Sequence, residues 1–332
     1  VFINGRIAFK ENSIQSLDLN SFKLLENDFI LKLNTLDNKT SINNKFVIDI
    51  TGRKLDISFL EVNKAKSTLK DIPVDININV KKLKYINNTT FSPAELNGQF
   101  LNVWQNLYFK GLFDTGEDLN ISIKPVSDGR FIDIRSSNSG KALKINKISK
   151  SITGGLLKFS GKYNSLDNNE YFDAELSLNN FAIKKKSKLA KFIKVIRIFD
   201  IKKQLAGDTE DFEYAEMKIK KRGKDYEIVD GKAYGGLMAL TANGIVNKKY
   251  NSVDIKGLVA PTHALDSWVG KIPLLGTILT GLEGGGVVAA NYSVKGTVAE
   301  PRYFVNPLSM LTPGIFKEFW NVFELQKPKQ VN

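Results

Sequence analysis

The sequence predicts a mainly β chain: a long antiparallel meander curled into an apolar-lined groove, a repeating β-groove, with a few helices in the C-terminal half. From Val1 to about Asn180 apolar and polar residues alternate with period two, as in strands that turn one face away from water. Short clusters of Asn, Asp and Gly punctuate that alternation where hairpins need turns. Beyond Lys184 the spacing changes, and helical periodicity and Pro-marked starts interrupt the strands.

In chain order, Leu17 to Leu24 and Phe29 to Leu33 are short alternating runs, followed by a turn cluster at Asp37-Asn38-Lys39. Val74, Ile76, Ile78 and Val80 then alternate with Asp75, Asn77 and Asn79, and Asn87-Asn88 closes that strand. Leu119 to Ile123 and Phe131 to Ile134 are separated by Ser127-Asp128-Gly129, with Asp114-Thr115-Gly116 upstream and Asp167-Asn168-Asn169 downstream. Phe172, Ala174, Leu176 and Leu178 alternate with Asp173, Glu175 and Ser177. About fifteen such strands at roughly 4.8 Å spacing make a ribbon on the order of 70 Å long. Its apolar side has two ways out of water, a second covering sheet or a curl around something else, and the alternation alone does not choose.

The segment 181–206 breaks the pattern. Leu189, Phe192, Ile193, Ile196 and Phe199 recur at helical spacing with lysines on the other side, and Gly207 stops the run. Such a basic amphipathic helix either lies on an anionic membrane or packs on the sheet, since Val195, Ile198 and Ile201 widen its apolar side. Strands resume over 207–260, through Met217, Ile219, Ile228-Val229 and Val253 to Val259. In 261–325 Thr262 is placed to cap a helix through Ala264, Leu265, Trp268 and Val269, and Pro273 restarts it with Leu274, Leu275, Ile278 and Leu279. Two strands, Val287 to Thr297 and Arg302 to Val305, lead to a last helix carrying Phe316, Phe319, Trp320 and Phe323, and 326–332 reads as a loose tail. These two apolar helices are expected to cap the open end of the sheet.

Composition removes several chemistries. The chain of 332 residues has no cysteine and one histidine, which excludes disulfides, thiol catalysis and Cys-containing zinc sites. The net charge of +13 is concentrated, because Lys184 to Lys203 holds nine Lys/Arg against Asp200 alone. Gly281 to Gly286 lacks the Lys-Ser/Thr pair of a phosphate loop, since Val287-Val288 follow. His263 and Asp266 have no nucleophile motif beside them, and the Asp208 and Glu210 pair reads as exposed charge balance for the lysine run. Trp104, Tyr108 and Phe109 beside Lys110 lack any nucleic-acid-binding signature. No catalytic residue, metal site or cofactor is expected, and nucleic acid is not an expected partner. The chain starts Val1-Phe2-Ile3-Asn4-Gly5, without a signal-like segment or an apolar run of about 18 residues, and reads as a fragment whose anchor lies outside it.

One region carries a resemblance. Ile272-Pro273-Leu274-Leu275-Gly276, Leu279-Thr280-Gly281, Tyr292, Val294, Gly296, Pro301, Val305-Asn306-Pro307-Leu308-Ser309 and Pro313-Gly314 resemble the C-terminal region of the AsmA-like family, in its TamB/YhdP-type branch. Gly207, Phe212, Gly231, Gly235-Gly236 and Gly244 extend the likeness more loosely upstream. After Pro313-Gly314 the pattern departs, with Ile315-Phe316-Lys317 where a Leu-Arg pair is common.

The resemblance implies an apolar β-groove on the periplasmic side of the bacterial cell envelope, anchored in the inner membrane and serving phospholipid transport toward the outer membrane. It brings no catalytic residues. Together the two readings give a non-enzymatic lipid conduit whose acyl-chain contacts are Val74, Ile76, Ile78, Val80, Phe172, Leu176 and Leu178. Membrane or groove-end contacts are Leu189, Phe192, Ile196, Leu274, Leu275, Ile278, Leu279, Phe316, Phe319 and Trp320. The expected partners are phospholipids, bacterial membranes and envelope proteins. The alternative is an interaction module of outer-membrane biogenesis with a self-closed β-sandwich core; an outer-membrane barrel fits the predicted helices poorly.

Overall fold

The computed structural model describes residues 2–10, 13–24, 26–36, 45–58, 72–145, 147–164, 171–184, 208–236, 238–262 and 289–306. The predicted helix through Leu189, Phe192 and Ile196 lies outside them, as do Leu274, Leu275, Ile278, Leu279, Phe316, Phe319 and Trp320. So do His263, Asp266, Gly281 to Gly286 and the turns at Asp37 and Asp167. Among the described residues the chain is a predominantly antiparallel meander of seventeen strands with one α-helix, divided into two compact units.

The first unit takes Val1–Ser149 and Leu157–Leu166. Its strands are β1 (Phe2–Lys10), β2 (Ser13–Leu24), β3 (Asn27–Leu36), β4 (Lys45–Asp56), β5 (Val74–Lys84), β6 (Thr90–Leu101), β7 (Val103–Phe113), β8 (Asp118–Val126), β9 (Gly129–Ser136) and the second part of β10 (Ile152–Asn164). Successive strands pair antiparallel except β4 and β5, which run parallel from Phe46↔Val74 to Asp56↔Lys84. Parallel neighbours need a connection of a dozen residues or more, and 57–73 supplies it. The expected turns form where the residues allow them. Asn87 and Asn88 both sit at positive φ, 55° and 56°, a conformation Asn tolerates better than most residues.

A helix that the periodicity did not announce, α1 (Ser139–Ile145), follows β9. It has too few residues for a repeat to show, and a local cap defines it: the Asn138 side-chain oxygen accepts the Lys141 N–H at 3.0 Å. Ala142, Leu143 and Ile145 are buried. Lys141 reaches the β7–β8 turn, bonding Glu117 at 3.0 Å and standing 5.3 Å over the Phe113 ring. Phe113 and Phe109 each lie 5.1 Å from Phe91, and with Leu83 and Leu119 they form the well-buried core of this unit.

The second unit takes Lys150–Leu156 and Asp167–Asn332. Its strands are the first part of β10, β11 (Tyr171–Lys184), β12 (Thr209–Arg222), β13 (Asp225–Gly235), β14 (Met238–Asn247), β15 (Ser252–Pro261), β16 (Ala290–Thr297) and β17 (Pro301–Asn306). β11 runs four residues past the predicted end at Asn180 because a bulge sits there. Asn180 takes φ 51°, and burial passes from Ala174 and Leu178 before it to Phe181 and Ile183 after it.

One expectation is overturned here: Glu210 is 4% exposed and does not face solvent. It stands opposite the buried Ile183, so the strand's own alternation carries it inward. Thr262, read as a helix cap, is buried, and its hydroxyl donates to the Gly236 carbonyl at 2.7 Å.

Candidate functional site

Strand register decides which side chains share a surface, since directly opposed residues point to the same face. In the first unit Leu19, Leu31, Ile50, Ile78 and Leu96 are opposed one after another across β2 to β6. The same row continues through Phe109, Ile121, Ile134 and Phe159 on β7 to β10. A parallel row passes through Leu17, Leu33, Ile48, Ile76, Gly98 and Leu107 and on to Ile123 and Ile132. On the other side a third row runs from Phe22 and Phe29 through Gly52, Val80, Ala94 and Gly111 to Leu119. The result is an unbroken apolar face, three rows deep from β2 to β8 and narrowing to two rows on β9 and one on β10.

The rows differ in burial. Val80, Ala94 and Leu119 in the third row are 1%, 1% and 4% exposed, closed in at the end where α1 lies. The other two rows are neither buried nor exposed along nearly their whole length, with Gly98 and Phe109 as the exceptions. A second sheet packed face to face would bury such residues fully. On β1 the face becomes open, with Ile3, Ile7 and Phe9 53%, 54% and 66% exposed.

The opposite side of the same strands is polar. Asp18, Lys32, Asp49, Asn77 and Asn97 are opposed in turn, and the Asn77 amide donates to Asp49 at 2.7 Å. A shallow depression of about 410 Å³ on this side is lined by Asp75, Asn77, Asn97 and Tyr108 among others. Trp104 sits edge-on to Phe100 at 5.5 Å, while Phe109 faces the apolar side and Tyr108 the polar one. Adjacent strand residues cannot share a face, so these aromatics make no common stacking platform.

The second unit repeats the arrangement with smaller residues. Leu178, Ala215, Ala233, Leu240, Val259 and Ala290 are opposed across β11 to β16, and all but Leu240 are buried. Four residues along each strand, five on β13 where a bulge intervenes, the row through Ala174, Ile219, Ile228, Gly244, Ile255 and Val294 is half-buried, apart from the buried Ala174. Tyr292 crosses this surface: its ring lies beside Gly257, and its hydroxyl donates to the Thr241 carbonyl at 2.6 Å. Burial raises the Tyr292 pKa above its ordinary value.

The predicted acyl-chain residues therefore fall in two places. Ile76 and Ile78 lie on the half-buried face of the first unit, between Val74 and Val80, which are 8% and 1% exposed. Phe172 and Leu176 are half-buried in the second unit, and Leu178 is 4% exposed. Period-two reasoning named residues on these two strands alone as acyl-chain contacts and left out Ile50, Leu96 and Ile134, the last of them on a run it had read as a strand, because only register shows that they are continuous with Ile78. Among the described residues no helix is long and apolar enough to cross a membrane. No family model, curated protein or solved structure matches this chain.

Proposed function

We propose that the chain is a non-enzymatic phospholipid-conduit segment of a bacterial envelope protein, periplasmic and inner-membrane anchored in its full length, passing lipids between inner and outer membranes. The observation that carries this reading is the half-buried, uninterrupted apolar face of the first unit. Nine strands at about 4.8 Å spacing give it a length of roughly 38 Å, and three rows about 7 Å apart give it a usable width near 14 Å as far as β8. Acyl chains laid along the rows meet only carbon, while head groups stay at the wet margin. Half-burial is costly for Leu and Ile, each of which forgoes part of the roughly 1.5 to 3 kcal/mol that full burial contributes. A bound hydrocarbon recovers that loss, and the resemblance of the C-terminal third to AsmA-like proteins supports the same reading.

Native mass spectrometry of the purified chain tests it. Co-purified phospholipid is expected on the wild type, and much less on Ile78→Asp, which sets a carboxylate where hydrocarbon would lie. A lipid-free wild type, with Ile78→Asp unfolding the chain, would instead favour an interaction module with a self-closed core.

A further inference from the structure

Among the described residues the strands of the second unit are electrically lopsided. At one end lie three hairpin tips, joining β12 to β13, β14 to β15 and β16 to β17. Residues 218–225 at the first tip hold Lys218, Lys220, Lys221, Arg222 and Lys224 against Asp225 alone. The second tip adds Lys248 and Lys249 without an acid, and at the third Lys295 and Arg302 stand opposite each other across the strands with Glu300 between them in the turn. At the other end 208–213 holds Asp208, Glu210, Asp211 and Glu213 and no cation.

Aromatic rings are built into the basic end. The Arg222 guanidinium lies 4.5 Å from the Tyr171 ring centre and also grips Asp173 with two bonds of 3.2 and 3.3 Å. Lys248 lies 4.6 Å over Tyr226, whose ring Lys221 approaches at 5.8 Å. Lys249 lies 5.0 Å over the ring of Tyr250, which is 69% exposed at the tip, and Val298 at the neighbouring tip is 44% exposed. Lys248 and Lys249 have no carboxylate partner among the described residues, so their charge is left to whatever meets this end.

We propose that these three hairpin tips seat the second unit on an anionic phospholipid surface, with Tyr250 and Val298 entering the headgroup layer and Lys248 and Lys249 facing its phosphates. Lysines near such a surface each add to the attraction, and tyrosine suits a boundary that is apolar on one side and wet on the other. Nucleic acid fits less well. The Tyr171 and Tyr226 rings are already covered by this unit's own cations, which leaves no free row of rings for bases. The proposal stands on the tips alone and does not require that the apolar face carry lipid.

The full chain has no cysteine, so Tyr250→Cys offers one attachment point for an environment-sensitive fluorophore, and Asp114→Cys at the β7–β8 turn serves as the control. The probes are vesicles of phosphatidylcholine, with and without phosphatidylglycerol. The label at 250 is expected to shift to the blue on phosphatidylglycerol vesicles, to revert as salt rises, and to ignore phosphatidylcholine; the label at 114 should respond to neither. Lys248→Ala with Lys249→Ala should weaken vesicle affinity roughly thirtyfold, with the circular dichroism unchanged. A silent label at 250 on vesicle-bound protein, or a double variant that binds as tightly as wild type, overturns the proposal. So does a chain that ignores phosphatidylglycerol vesicles yet binds polyglutamate or DNA through these lysines.

Discussion

Tyr292 and Gly257 form a unit of two residues with opposite needs. A Cβ on Gly257 would stand 1.9 Å from the Thr241 carbonyl oxygen and 2.9 Å from the Tyr292 ring, and the nearer of these is backbone that cannot swing away. Tyr292→Phe removes only the hydroxyl that bonds Thr241, so a loss of about 1 kcal/mol is expected in urea unfolding. Gly257→Ala should cost clearly more in the same measurement, because two strands must part to admit it. Burial raises the Tyr292 pKa above that of the unfolded chain. Its contribution is therefore complete below the ordinary tyrosine value near 10 and declines as pH rises past it; Tyr292→Phe should blunt the alkaline loss of stability. The sequence marked Tyr292 through a resemblance, but a tyrosine does not say which carbonyl it will reach, since that partner lies 51 residues away.

At the scale of the element, α1 shows how a short helix is held without a repeat of its own. Glu117 accepts bonds from Thr115, from Asn138 at 2.8 Å and from Lys141 at 3.0 Å, and these bonds, Thr115 first, hold its carboxyl down to about 2. A depressed carboxylate pKa stabilises the fold above the unfolded value, here 4.5, and that stabilisation fades as pH falls toward 2. Amide exchange of α1 should accelerate across that window while β5 and β6 stay protected, and Glu117→Gln should flatten the response. Asn138→Ala, which removes the cap, should cost about 1 kcal/mol. The alternation of Val74 to Val80 was legible because each strand carries its own period-two record. Helix α1 was not, for its seven residues are too few to show a repeat, and the clamp of Asn138 on Glu117 joins residues 21 apart that no local pattern connects.

Over the whole molecule, strands were readable and their partnership was not. Ile78 and Leu96 look alike in sequence to any other apolar strand residues, and the chain becomes an apolar face only once register has lined them up. Ile78 and Val80 are two residues apart on β5, yet one is half-buried and the other 1% exposed. Val80→Ala is therefore expected to destabilise the first unit by roughly 1 to 3 kcal/mol in thermal or urea unfolding, and Ile78→Ala by less than its larger volume suggests, since its site is open and can relax. The parallel pairing of β4 with β5 has a consequence in time as well as in space. From β1 to β9 every antiparallel pair can zip from a nearby turn, whereas Phe46 must find Val74 across 28 residues, the kind of distant closure that slows folding. In pulse-labelled refolding the amides of β6 to β9 should gain protection first and those facing the β4–β5 seam last. Within β1 to β9 that seam is expected to divide the ladder into two blocks that nucleate separately and join late.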